Sequence, residues 1–199
     1  MGGIHLAPLH DGRRRSIVRR GWLVELRPLL LISGALLLVQ LVNASLGGAL
    51  NVWGLVPRHI EALPGIFLAP WLHGSWAHLL SNLSGLLVLG SLVLLRSRRD
   101  FYLSSAFIIV GSGVLVWLFG RTGLHVGASG WLFGFWGLLL ARAWFERSLL
   151  DLLLAVLVFF LYGGWFFGLL PRADVSFEYH LAGAFCGVLY AALSRRQYR

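Results

Sequence analysis

Lysine does not occur in this chain of 199 residues, and it has only one cysteine and one methionine. Charge is scarce: 13% of residues are charged, against roughly 25% in soluble domains. With 58% hydrophobic residues and a mean hydropathy of +0.77, a water-soluble fold of this size lacks the polar surface to cover itself. Intrinsic disorder is excluded more firmly still. The lone Cys186, set in an apolar run, excludes a disulfide framework within the chain and a Cys-based zinc site. The formal charge of +9 comes from 17 cations that are all arginine. Apolar segments separate these arginines, so no basic face for nucleic acid is expected; the lipid bilayer is the expected partner.

What is abundant is long apolar sequence. A membrane span needs about 20 such residues, and six candidates occur at 26–46, 78–95, 101–119, 129–146, 149–168 and 179–194. Each is apolar all round and too long for a barrel strand, so an all-α membrane protein of six transmembrane helices is expected. Arginine placement orients it. Arg13, Arg14, Arg15, Arg19, Arg20, Arg27, Arg96, Arg98, Arg99, Arg142, Arg147, Arg195, Arg196 and Arg199 fall on one side if six spans alternate. Only Arg58, Arg121 and Arg172 fall on the other. The positive-inside rule then places both termini in the cytoplasm. All-arginine usage fits a GC-rich prokaryotic genome, hence a plasma membrane.

The expected organisation is a basic tail over 1–21, a membrane domain over 22–194 and a short tail over 195–199. A signal peptide is the lesser reading of the N-terminus, since its cleavage would leave five spans and break the arginine alternation. The connection over 47–77 interleaves Trp53, Ile60, Phe67 and Trp71 with Pro57, Pro64 and Pro70, and is expected to lie in the outer interface.

Polar side chains within spans are costly and mark function or a packing partner. Here they open the second, fourth and sixth spans, which all run in the same direction. His78 and Asn82, at i and i+4, share one helix face about 6 Å apart along the axis. Gly127-Ala128-Ser129-Gly130 opens the fourth span, and Glu178-Tyr179-His180 opens the sixth. One serine, two histidines and one asparagine can therefore converge at one depth. Such a set suits acyl transfer: a neutral imidazole takes the serine proton, and amide and imidazole N–H groups receive the developing oxyanion. The start of the fourth helix adds free backbone N–H groups. Gly130/Gly134 and Gly183/Gly187, spaced by four, offer a close helix seam that would bring Ser129 to His180. Packing alone also accounts for a lone G-x-S-G, and Asn82 alone reads as interhelical glue. A metal site is disfavoured, because His73 and His78 stand at i and i+5 with no carboxylate spaced to join them.

Taken together, His73-x4-His78-x3-Asn82, Gly127-Ala128-Ser129-Gly130 and His180-x2-Gly183-x3-Gly187 resemble the rhomboid family of intramembrane serine proteases over residues 22–194. The resemblance implies a six-helix bundle with an interfacial first loop and a Ser129–His180 dyad without a third acid. It implies an oxyanion hole from His78, Asn82 and the Ser129 N–H, with no cofactor. His73 would be structural, Gly127 and Gly130 would permit the tight turn into the helix, and Phe133 would stack on His180. The implied substrate is a transmembrane helix of another protein, cut near its outer end. Two readings compete: a silent relative that binds and escorts membrane proteins, and a small transporter. The first is expected to lack Ser129 or His180; the second is expected to place its polar groups at mid-membrane. The chain departs from the family pattern at Leu95-Arg96-Ser97, where many relatives carry an acid and a glycine, so the stabilising network there is expected to be absent. Glu178 is expected to point away from His180, and His125 has no assigned part.

Overall fold

The computed structural model describes residues 12–172 and 175–195. The outer parts of the two expected tails, 1–11 and 196–199, lie outside the described residues, as do the side chains of Arg13, Arg14, Arg15, Arg19 and Arg20. The described chain is helical, and its nearest approach to a sheet is one antiparallel bridge between Leu55 and His125. Six long helices follow one another: α1 (Gly12–Ser45), α2 (Trp76–Arg96), α3 (Arg98–Phe119), α4 (Ser129–Glu146), α5 (Leu149–Leu169) and α6 (Phe177–Ser194). Helix α2 includes a π-helical turn at Leu86–Gly90, and α5 ends in a 3₁₀ stretch at Gly163–Leu169. Ser75 caps α2 by accepting from the His78 N–H, Ser97 caps α3 through the Asp100 N–H, and Ser148 caps α5 through the Asp151 N–H.

Four of these helices are long and apolar enough to cross a membrane: α1 from Val24, α2, α3 and α5. The six spans expected from sequence are therefore not all reached by length and hydropathy. Helices α4 and α6 fall short for different physical reasons. Helix α4 forms the centre of the bundle, where its neighbours are other helices, so it needs less of the apolar coat that lipid demands. Helix α6 exposes Leu181, Phe185, Val188 and Leu193, and its hydropathy is lowered by the polar first turn of Glu178, Tyr179 and His180. In α4 an unbroken run from Gly130 to Leu139 is buried. Helix α5 is the opposite case, with only 6% of its span inside the protein, and Leu152, Leu153, Phe159 and Phe160 face outward. That surface is suited to a lipid bilayer.

The α4–α6 contact is the most extensive between helices, and glycine makes it possible. A Cβ on Gly183 would stand 1.9 Å from the Gly130 carbonyl oxygen, and one on Gly187 would stand 1.9 Å from that of Gly134. No side chain fits either gap, so two backbones touch along one seam. Gly130 lies inside α4 rather than in the turn before it, and its missing side chain makes room for the Tyr179 ring. Its expected part in the turn is corrected accordingly.

At the opposite end of the bundle from Ser129 a charge network stands where the departure at Leu95-Arg96-Ser97 predicts none, and Arg142, expected as a surface anchor, is internal to it. Arg142 is 1% exposed and pairs with Asp100, itself 3% exposed. Asp100 also accepts from the Tyr190 hydroxyl at 2.8 Å, and Arg142 Nε lies 3.4 Å from Glu146. Arg96 pairs with both Glu146 and Asp151. The network ties α2, α3, α4, α5 and α6 together. The i,i+4 spacing of Arg142 and Glu146 inside an apolar run was the available signal for it.

The connection between α1 and α2 folds into short helical turns at Ala49–Trp53, Ile60–Ala62, Gly65–Leu68 and Ala69–Trp71. Leu55, Ile66, Ala69 and Leu72 are buried, while Val52, Trp53, Ile60 and Phe67 are exposed. One face is thus core and the other an apolar surface of the kind that rests at a bilayer interface. Asn43, near the end of α1, fixes it by donating to Asn51 and to the His73 carbonyl and accepting from the Leu50 N–H.

Candidate active site

Ser129 is the first residue of α4, and its approach is held by backbone. Gly127 has φ of +114°, a conformation that favours glycine, and a Cβ there would lie 2.6 Å from the His78 ring. The Gly127 N–H donates to the Ala69 carbonyl at 2.8 Å, and the Ala128 N–H makes a long contact of 3.5 Å with His73 Nε2. An imidazole nitrogen that accepts must be unprotonated, and His73 is suited to this. Burial, aided by the neighbouring His78, lowers its pKa to about 4, with the Trp71 main chain pulling the other way. His73 therefore supports the turn before Ser129 and stands at 5.0 Å, edge to face, from the His78 ring.

The Gly130/Gly134 and Gly183/Gly187 seam brings α6 against α4, and His180 arrives beside Ser129. The Ser129 Oγ lies 3.0 Å from His180 Nε2. The other ring nitrogen, Nδ1, lies 2.8 Å from the Gly168 carbonyl oxygen. A carbonyl only accepts, so Nδ1 carries the proton and Nε2 presents a free lone pair to the serine hydroxyl. The ring plane is fixed as well. Phe133 lies parallel to it, 4.1 Å between centroids and 7° between planes, and Trp165 stacks on Phe133 at 4.7 Å.

His78 and Asn82 flank this pair from α2. The Asn82 amide nitrogen approaches within 3.3 Å of where a Gly127 side chain would begin, and among the described residues it has no hydrogen-bond partner although buried. An orphaned buried donor costs about 1–3 kcal/mol, and one next to a serine–histidine pair invites an explanation from chemistry. Ser129, His180, His78, Asn82, Phe133 and Trp165 all border one cavity of about 520 Å³. The arrangement can remove a proton from a hydroxyl and offer N–H donors to a negative oxygen.

Sequence reasoning brought Ser129, His180, His78, Asn82, Phe133 and the four glycines to this region, and the structure groups them there. It missed the Gly168 carbonyl and Trp165. Nothing in a sequence marks one carbonyl among many, whereas Trp165 was visible only as one interfacial aromatic of several. Glu178 pairs with Arg121 at 2.7 Å.

Residues 61–197 match the model of the Rhomboid domain family. An uncharacterised protein of Mycobacterium tuberculosis is 36% identical over 185 residues, covering 88% of this chain and 77% of its own length. An uncharacterised protein of Mycobacterium leprae is 34% identical over 185 residues, with 88% and 73% covered. RHOMBOID-like protein 1 of Arabidopsis thaliana is 33% identical over 164 residues, 76% of this chain and 39% of its own. A match over more than half of the chain, on a helical bundle with an apolar outer surface, makes this multi-pass membrane protein a member of the rhomboid family.

Proposed function

We propose that this chain is an intramembrane serine endopeptidase that cleaves transmembrane segments of other membrane proteins near their outer ends. The observation that carries the reading is the hydrogen-bonded line from Ser129 Oγ through His180 to the Gly168 carbonyl. His180 Nε2 takes the hydroxyl proton as Oγ attacks the scissile carbonyl carbon. The carbonyl oxygen becomes an oxyanion facing Asn82, His78 and the Ser129 N–H, where each donor contributes roughly 3–4 kcal/mol in comparable sites. Collapse breaks the C–N bond, and the proton on Nε2 passes to the leaving amine. Water then enters and attacks the acyl carbon while giving a proton to Nε2. The carbon–Oγ bond breaks, the acid leaves and Nε2 returns that proton to Oγ, restoring both residues.

In this reading α4 and α6 also cross the bilayer, α4 shielded by its neighbours and α6 with Leu181, Phe185, Val188 and Leu193 toward lipid. Both termini lie in the cytoplasm of a prokaryotic plasma membrane, as the arginine distribution favours, and the cavity opens toward the outer face. No cofactor takes part. The test is cleavage of a labelled transmembrane helix by the purified protein in lipid, with Ser129→Ala and His180→Ala alongside. Cleavage lost in both variants, with a serine-reactive fluorophosphonate labelling Ser129 in the wild type, is the expected result. Wild-type protein that neither cleaves nor labels would overturn the reading in favour of an escort protein.

A further inference from the structure

We propose that His125 is a positioning residue that fastens the segment leading to Ser129 to the start of the helix bearing His180; this rests on the protease reading. Ser129 and His180 sit on different helices, and a contact of 3.0 Å between them requires that the loops before each helix keep one distance. His125 is the buried side chain that bridges these loops. Its Nε2 lies 3.2 Å from the Arg121 carbonyl oxygen and must donate to it. Its Nδ1 is then the acceptor, 2.9 Å from Ser176 Oγ, and receives the serine proton.

Both ends of this link lead to the site. On one side the His125 main chain forms the two-way bridge with Leu55, at 2.9 and 2.8 Å, two residues before Gly127. On the other side the Ser176 carbonyl accepts from the N–H groups of Tyr179 and His180, at 2.9 and 3.2 Å. Ser176 occupies the N-cap position of α6, yet its side chain makes no capping bond. A serine there ordinarily turns its oxygen to the N–H groups of the first turn. Here the hydroxyl serves His125 instead, which gives up local helix stability for a tie between loops. Arg121 adds an outer strap by pairing with Glu178 and donating to the Val175 carbonyl.

The experiment compares His125→Phe, Ser176→Ala, the double variant and His125→Gln, by cleavage kinetics, fluorophosphonate labelling of Ser129 and Tm in lipid. His125→Phe and Ser176→Ala should each lower kcat about tenfold with KM nearly unchanged, the scale of one lost buried hydrogen bond. The double variant should be no worse than the weaker single, and His125→Gln, which keeps a donor and an acceptor, should recover most of the rate. Independent, additive shifts in Tm would overturn the contact. Coupled shifts in Tm with wild-type kcat and labelling would overturn the positioning role and leave the Ser129–His180 reading intact. Wild-type protein without cleavage or labelling would overturn that reading, and the positioning role with it.

Discussion

Opposite charges meet one another at the Arg142 end of the bundle, whereas at the Ser129 end the cavity is bordered by no carboxylate or guanidinium among the described residues, the Arg121–Glu178 pair lying outside it, and a donor is kept unused. At the first end Arg96 and Arg142 face Asp100, Glu146 and Asp151. Around Ser129 the polar atoms are a hydroxyl, imidazoles and an amide, and the Asn82 nitrogen has no partner among the described residues. In a low-dielectric setting both choices are expensive. Their difference is in what the expense accomplishes: the first fixes five helices to one another, and the second, in the proposed protease reading, leaves capacity for an oxygen that becomes negative.

This contrast can be broken most forcefully at Arg142. Arg142→Ala leaves Asp100 buried without its cation, and is expected to cost about 3–5 kcal/mol of stability, seen as a lowered Tm in lipid. Cleavage per folded molecule should stay near that of the wild type. A variant that loses activity without losing stability would show that the two ends are not separate.

Asn82→Ala should give the reverse pattern. If Asn82 is the oxyanion donor proposed above, its removal predicts a turnover loss of about 10²–10³-fold, read in cleavage kinetics, while Tm barely moves because the amide nitrogen satisfies no partner now. Unfolding of this variant at modest temperature would make Asn82 helix glue instead.

His73 sharpens the comparison through pH. Its imidazole is neutral in the folded protein until about pH 4, whereas an exposed one charges near 6.5. The unfolded chain therefore binds more protons between these values, and stability rises with pH across that window. The contribution is complete above about 6.5 and is lost as pH falls toward 4, a difference of about 3 kcal/mol. His73→Phe should flatten that part of the Tm-against-pH curve; an unchanged slope would remove His73 as its source.

The smallest effect concerns α5. A Cβ on Gly168 would stand 2.8 Å from the Phe133 ring, so Gly168→Ala should disturb the stack and the carbonyl that holds His180. A kcat lower by roughly tenfold is expected, with little change in KM. Equal kcat in this variant would mean that the carbonyl is dispensable.

Much of this molecule was legible because lipid forces a visible pattern. Long apolar runs gave the helix order, and His78, Asn82, Ser129 and His180 were readable because polar residues in such runs are rare. The burial of Arg142 was not legible: an arginine at a helix end reads as an anchor until its partner Asp100, on another helix and 42 positions away, is known. Helices α4 and α6 stand where apolar runs were read, but hydropathy alone does not make them spans, since it measures fitness for lipid and the buried run of α4 is fitted to other helices. The part of His125 was hidden because its partner Ser176 is 51 positions away and carries no motif.

The Gly168 carbonyl gives this site a particular evolutionary exposure. Where a carboxylate orients a histidine, a single codon change deletes the orienting group. A main-chain carbonyl is encoded by every codon and cannot be deleted by substitution. The His180 tautomer is thus immune to mutation of its partner's chemistry and open only to movement of its partner's backbone. That backbone is the last turn of α5, the span with the smallest share of its length inside the protein.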